Sequence, residues 1–131
     1  MKKLILSLCL ILGFSAAFAQ KSNVAKAENY TLQEKPDFAA AREAIKAAMQ
    51  DVKTKSDAKT YFTAGMIGFK ENEAFNTKMI LDAKSVDPLA KGKAIMEAYK
   101  YFLIADSLDK LPNAKGKIKP RFGKKIKDNL K

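Results

Sequence analysis

From Ser22 to the C-terminus, apolar side chains recur at three- and four-residue intervals, the period of helices with one buried stripe. No segment alternates apolar and polar residues convincingly in the manner of a strand. The most strongly patterned run is Ala98–Asp109. Large apolar side chains at Ile95, Tyr99, Phe102 and Leu103 stand at i, i+4, i+7 and i+8, which predicts that they form the buried face of one helix.

The rest of the chain divides around that run. Ser22–Gln33 predicts a first helix, capped by Ser22, with Val24, Ala27 and Tyr30 or Thr31 inward. Pro36 disfavours helical geometry at Lys35 and needs no amide partner, so it ends this helix and starts the next. Asp37 then sits in the first turn, favourable to the helix dipole. Phe38, Ala41, Ile45, Ala48 and Val52 form one face, Arg42, Glu43 and Lys46 add exposed charge, and the helix runs to about Lys53. Thr54–Asp57 is a polar turn in which Ser56 or Asp57 caps a third helix.

That third helix carries Tyr61, Phe62, Ala64, Gly65, Met66, Gly68 and Phe69. Each glycine costs about 1 kcal/mol against alanine, which implies close packing against another helix. The sharper alternative is approach of a ligand to bare backbone. The pattern continues from Glu71 to Asp82, with Phe75 and Met79 inward, Ile80 a third candidate, and room for a bend at Lys70–Asn72. Ser85-Val86-Asp87-Pro88 interrupts it. Asp87 caps and Pro88 starts a helix that runs to about Leu108 and stops before Pro112. Asn113–Lys119 reads as a loop. Pro120 opens a last helix with Phe122, Ile126 and Leu130 on one face. The chain is expected to be all-α.

The N-terminus reads as an export signal. Lys2 and Lys3 precede the apolar run Leu4–Phe14, and Ser15-Ala-Ala-Phe-Ala19 ends in a small-x-small pattern, placing the cut after Ala19. The run is shorter than the about 20 residues that span a bilayer. Cys9 lies inside the apolar run, not at the cleavage point, so lipidation is not expected. It is the only cysteine, and the chain has no histidine. The processed chain therefore lacks disulfides, thiol chemistry, the commonest metal ligand and the commonest general base. We expect an exported protein of the periplasm or cell envelope, without a membrane span after processing, and with no cofactor, metal or catalytic residue.

Charge changes the picture at one end. The sequence holds 25 Lys and Arg against 14 Asp and Glu. Without Lys2 and Lys3 the balance is 23 against 14, a net of +9. Residues 115–131 carry eight of these cations and one acid, Asp128, leaving 20–114 at +2. Lys115, Lys117, Lys119, Arg121, Lys124, Lys125 and Lys127 are the candidates for binding an anion or partner. Three readings apply to them. The plain one is a solvated helix face and loop. Another is contact with anionic lipid or envelope polymer. The third is nucleic acid, which is not expected: Phe122 is the one aromatic there, so no stacking platform exists, and an exported protein rarely meets nucleic acid.

Carboxylates suggest no catalytic pair. Asp106 and Asp109 can share a helix face, but nothing nearby supplies a dry pocket with one reactive atom between them. Glu71 and Glu73 point away from each other. No calcium-loop, phosphate-loop or zinc spacing occurs.

The residues resemble tetratricopeptide repeats. Tyr61-Phe-Thr-Ala-Gly-Met-Ile-Gly-Phe69 looks like the first helix of a repeat, and Ala98, Phe102, Ala105 and Leu108-Asp109 like the second. Pro112 lies a little beyond the position where such a repeat has its proline. Asp37-Phe38 with Ala41, Ile45 and Ala48 looks like the second helix of a preceding repeat, whose first would be Val24–Leu32. The fit departs in two ways. Tyr61 and Phe102 are 41 residues apart, where a repeat of about 34 residues would separate them by about 20. Roughly 20 extra residues, from Lys70 to Lys91, thus lengthen or insert a helix. Gly68 also stands where an aromatic is expected. The signal and the runs Gln33–Phe38 and Lys91–Glu97 are similar to the N-terminal part of exported tetratricopeptide proteins of Bacteroidota. By that likeness the chain is a fragment or a short member, with the helix after Pro120 the first of another repeat.

The resemblance implies antiparallel helix hairpins forming a short α-solenoid, packed through Phe38, Ala41, Ile45, Ala48, Tyr61, Ala64, Gly65, Ala98, Phe102 and Ala105. Asp109 would be the acidic residue that closes a repeat. The implied organisation is a signal peptide at 1–19, a helical domain at 20–112, and a basic loop and helix at 113–131. The implied function is a non-enzymatic scaffold that binds a protein partner on the concave face of stacked helices. The alternative is an electrostatic adaptor acting through the basic C-terminal segment.

Overall fold

The computed structural model describes residues 23–131. The run expected to be an export signal, with Cys9, the expected processing point after Ala19 and the expected Ser22 cap, lies outside them. The described residues fold into α-helices, with no strand among them. Helix α1 covers residues 23–32, α2 Phe38–Gln50, α3 Ala58–Leu81, α4 Pro88–Asp109 and α5 Gly123–Asn129. A short 3₁₀ turn, Ala83–Ser85, links α3 to α4.

Short polar residues set the helix starts. The Asp37 carboxylate accepts the Ala40 amide at 2.9 Å, so α2 begins at Phe38 and Pro36 precedes the cap instead of opening the helix. The Asp37 amide in turn donates to the Tyr30 carbonyl at 2.9 Å, closing α1 onto α2. Helix α2 stops at Gln50, short of Lys53, and Val52 is left exposed in the following turn. That turn is stitched by threonines. The Thr54 hydroxyl donates to the Ala48 carbonyl, and the Thr60 hydroxyl donates to the Thr54 carbonyl at 2.9 Å. Asp57, of the two cap candidates, starts α3 by accepting the Lys59 amide. Asp87 caps α4 with Pro88 in its first turn, as the sequence predicts.

Helix α3 is the axis of the fold. It runs unbroken for 24 residues, so no interruption occurs at Lys70–Asn72. One face, Ala64 and Ile67, joins Val24 and Ala27 of α1 and Ala41, Ile45 and Ala48 of α2 in a core of small aliphatic side chains. Another face lies along α4. Contacts pair Tyr61 with Tyr101, Gly65 with Phe102, Gly68 with Ala94 and Ala98, and Asn72 with Lys91, an antiparallel order. The expected pairing of residues 61–69 with 98–109 is observed, and the extra residues elongate both helices of this hairpin.

The glycines explain how closely α3 and α4 approach. A Cβ on Gly68 would stand 2.5 Å from the Ala94 carbonyl oxygen and 2.9 Å from the Ala98 nitrogen. A Cβ on Gly65 would stand 2.5 Å from the Phe102 ring. Close packing, not ligand approach, accounts for both. Around Phe102 a second, aromatic core forms with Ala98, Ala105 and Ile126, flanked by Tyr61, Phe62, Met66, Phe69 and Phe122. Phe62 stacks on Phe122 with centroids 4.6 Å apart.

This packing corrects the face first expected for α4. Phe102 is buried, but Ile95, Tyr99 and Leu103 are exposed; the inward positions are Ala94, Ala98, Phe102, Ala105 and Asp109. Against a glycine-lined neighbour there is room for alanines and one ring, so the larger side chains turn outward. Thr31, not Tyr30, is the buried choice on α1, its hydroxyl donating to the Ala27 carbonyl at 2.7 Å. At the far end of α3, Phe75 is half-buried, whereas Met79 and Ile80 are exposed.

Candidate functional site

Helices α1, α3 and α5 together line a groove of about 510 Å³. Phe62, Thr63 and Met66 come from α3, Glu28, Thr31 and Leu32 from α1, and Lys125, Asp128 and Asn129 from α5. Its walls are cross-tied. Glu28 pairs with Lys59 at 3.2 Å and accepts the Thr63 hydroxyl at 3.4 Å, which fixes α1 on α3. The Asn129 amide approaches the Met66 sulfur at 3.4 Å, which ties α5 to the same helix. The result is an apolar strip bordered by charges of both signs, suited to an amphipathic peptide segment.

One buried carboxylate positions α5. Asp109 Oδ2 accepts both the Arg121 and the Phe122 backbone amides at 2.7 Å. The Arg121 guanidinium lies 3.8 Å from Asp109, 3.1 Å from Asp57 and over the Phe122 ring. These bonds occupy the amides that precede the helix, so Phe122 stands at the cap and α5 begins at Gly123, three residues after Pro120. Asp109 thus serves a structural purpose. Asp106 pairs instead with Lys110, so the two carboxylates do not converge on one point. Among the described residues no cluster of three or more His, Cys, Asp or Glu is placed to hold a metal ion.

The seven basic candidates do not form one patch. Asn113 organises a tight loop in which its side-chain oxygen accepts the Lys115 and Lys117 amides, and Gly116 adopts φ 71°, a left-handed conformation that favours glycine. Lys117, Lys119 and Arg121 border a hollow beside Asp57 and Asp109. Arg121 is committed to those acids. Lys125 faces the α1–α3–α5 groove, and Lys127 borders a separate apolar hollow between α4 and α5. Lys115 and Lys124 are exposed and line none of these hollows. The ten packing positions fall in or beside the two cores. Phe38 and Tyr61 are half-buried, and Ala41, Ile45, Ala48, Ala64, Gly65, Ala98, Phe102 and Ala105 are buried.

The sequence reading missed a three-helix ion network. Arg42, expected as surface charge, donates from Nη2 to Glu71 of α3 and from Nε to both Glu97 oxygens of α4 at 3.1 and 3.2 Å. Partial burial opposes its charge, but the hydrogen bonds and attraction of both carboxylates outweigh that and hold the guanidinium pKa above its ordinary value. The only sequence signal is a charge beside the apolar face of α2, which does not reveal its partners. Compared with protein-family models, curated proteins and solved structures, the chain has no significant match in any of the three. No described helix is long and apolar enough to cross a membrane.

Proposed function

We propose that the chain is a non-enzymatic, exported, tetratricopeptide-like scaffold of the periplasm or cell envelope that binds a segment of a protein partner in the α1–α3–α5 groove. The observation that carries this reading is one groove lined by three helices. Helices α1 and α3 each open a hairpin, and α5, whose Ile126 packs on α4, supplies the remaining wall of the groove. A stack of hairpins with a shared lining is how helical repeats build a binding surface. The groove offers complementarity along a strip, which suits capture without turnover.

The test is affinity capture from envelope extract with the chain from Gln20 to Lys131, followed by mass spectrometry. Leu32→Glu combined with Asp128→Arg changes the rim of the groove at two exposed positions. Proteins recovered by the wild type and lost with this variant support the reading. An unchanged set of proteins overturns it.

The electrostatic adaptor remains a second reading, favoured by the exposed lysines of the 113–120 loop and of α5. Lys117→Glu, Lys119→Glu and Lys124→Glu together leave the groove lining untouched. Loss of capture with this variant, and sensitivity of wild-type capture to salt, would transfer the function to the basic segment.

A further inference from the structure

Helix α4 is apolar on two faces. The inward face is Ala94, Ala98, Phe102 and Ala105. Roughly opposite, Leu89, Met96 and Leu103 stand seven residues apart and form one line, with Tyr99 beside it. These side chains are 64, 67, 46 and 50 % exposed. Gly92 lies in the same stripe, with nothing within 4 Å of where its Cβ would be. The stripe is about 21 Å long, counting about 1.5 Å per residue from Leu89 to Leu103.

Charge along this helix is one-sided. Its carboxylates are already engaged inside the molecule: Glu97 with Arg42, Asp106 with Lys110, and Asp109 with Arg121 and two backbone amides. Lys93 and Lys100 flank the stripe and pair with no carboxylate among the described residues. The Lys100 ammonium rests 5.2 Å from the Tyr101 ring. The surface therefore presents bulky apolar side chains bordered by uncompensated lysines. A second copy would bring the same lysines against its own, on a chain of net charge +11.

We propose that the outward face of α4 is a docking surface for an anionic lipid bilayer. The helix lies in the interface, with Leu89, Met96, Tyr99 and Leu103 at the acyl boundary and Lys93 and Lys100 among the head groups. The site is separate from the α1–α3–α5 groove and does not depend on what that groove binds.

The experiment is co-sedimentation with vesicles of equal phosphatidylglycerol and phosphatidylcholine, and with phosphatidylcholine alone. The full chain and the chain from Gln20 are run in parallel, so that any contribution of the apolar run Leu4–Phe14 is read separately. The chain from Gln20 is expected to bind the anionic vesicles, to bind more weakly as salt rises, and to leave neutral vesicles unbound. Met96→Glu with Leu103→Glu is expected to weaken binding by about tenfold or more. Lys93→Glu with Lys100→Glu is expected to weaken it by a similar factor and flatten the salt dependence. Circular dichroism checks each fold, and Met96→Gln with Leu103→Gln replaces any variant that unfolds. Absence of wild-type binding to the anionic vesicles overturns the proposal, as does undiminished binding by the α4 variants. So does a loss confined to Lys117→Glu, Lys119→Glu and Lys124→Glu. A wild-type dimer in sedimentation equilibrium that Met96→Glu with Leu103→Glu dissociates would assign the face to a second copy and overturn it too.

Discussion

The two halves of the α3–α4 hairpin are held together differently. In the half that includes Tyr61–Phe69 and Ala98–Asp109, glycines draw the backbones together and a buried ring fills the space beside them. Helices α1, α2 and α5 then cover the outside of this half. In the distal half neither core contributes a residue between 70 and 97. The two helices there meet mainly each other, and Ile80, Leu81, Leu89 and Met96 remain exposed. Hydrophobic side chains alone do not make a core; a second layer has to cover them.

The largest effect should come from removing the ring at the centre of the covered half. Phe102→Ala leaves a cavity among Phe62, Phe69 and Gly65 and is expected to destabilise by about 3–5 kcal/mol, read by urea unfolding. A loss under about 1 kcal/mol would erase the distinction between the halves. Next is Gly68→Ala. Its new methyl meets backbone, which cannot turn aside, so a loss of about 2 kcal/mol is expected despite the gain in helix propensity. Gly65→Ala meets a ring and should cost less. The reverse order would mean that the ring, not the Ala94–Ala98 backbone, sets the approach.

Asp109→Ala leaves two amides without their acceptor and should cost about 2 kcal/mol. Hydrogen exchange should accelerate at Arg121 and Phe122 more than in α1. Protection that stays uniform would show α5 to be held by Ile126 and Phe122 alone. Last comes the distal half. Ile80→Ser with Leu81→Ser should change stability by no more than about 0.5 kcal/mol. A larger loss would mean that something covers the tip.

The sequence carried most of the framework. Asp57, Asp87 and Pro88 mark helix starts by chemistry that is local, and the glycines of α3 announced a close neighbour before that neighbour was known. The face of α4 was legible only once the neighbour was in place. Ile95, Tyr99 and Leu103 have the right period, but Gly65 and Gly68 leave no room for their bulk on the inner side. Arg42 was unreadable for a related reason. Its partners lie 29 and 55 residues away, and nothing in their own neighbourhoods marks them as facing α2. The basic candidates were recognisable as a run in sequence. Their separation into distinct hollows follows from α5, which turns Lys125 and Lys127 into different ones, and from the Asp57–Asp109 pair that holds Arg121.

Asp109 has one more consequence. By holding the amides of Arg121 and Phe122, it fastens the far end of the segment that leaves α4, so the seating of α5 is decoupled from the length of the intervening stretch. Residues 111–120 are all exposed. Each doubling of such a loop costs only about 0.6 kcal/mol of closure entropy. The position after Ile118, beyond the bonds that join Asn113 to Lys117, is therefore a natural point of insertion, where an epitope or a fluorescent reporter can be carried without moving the groove.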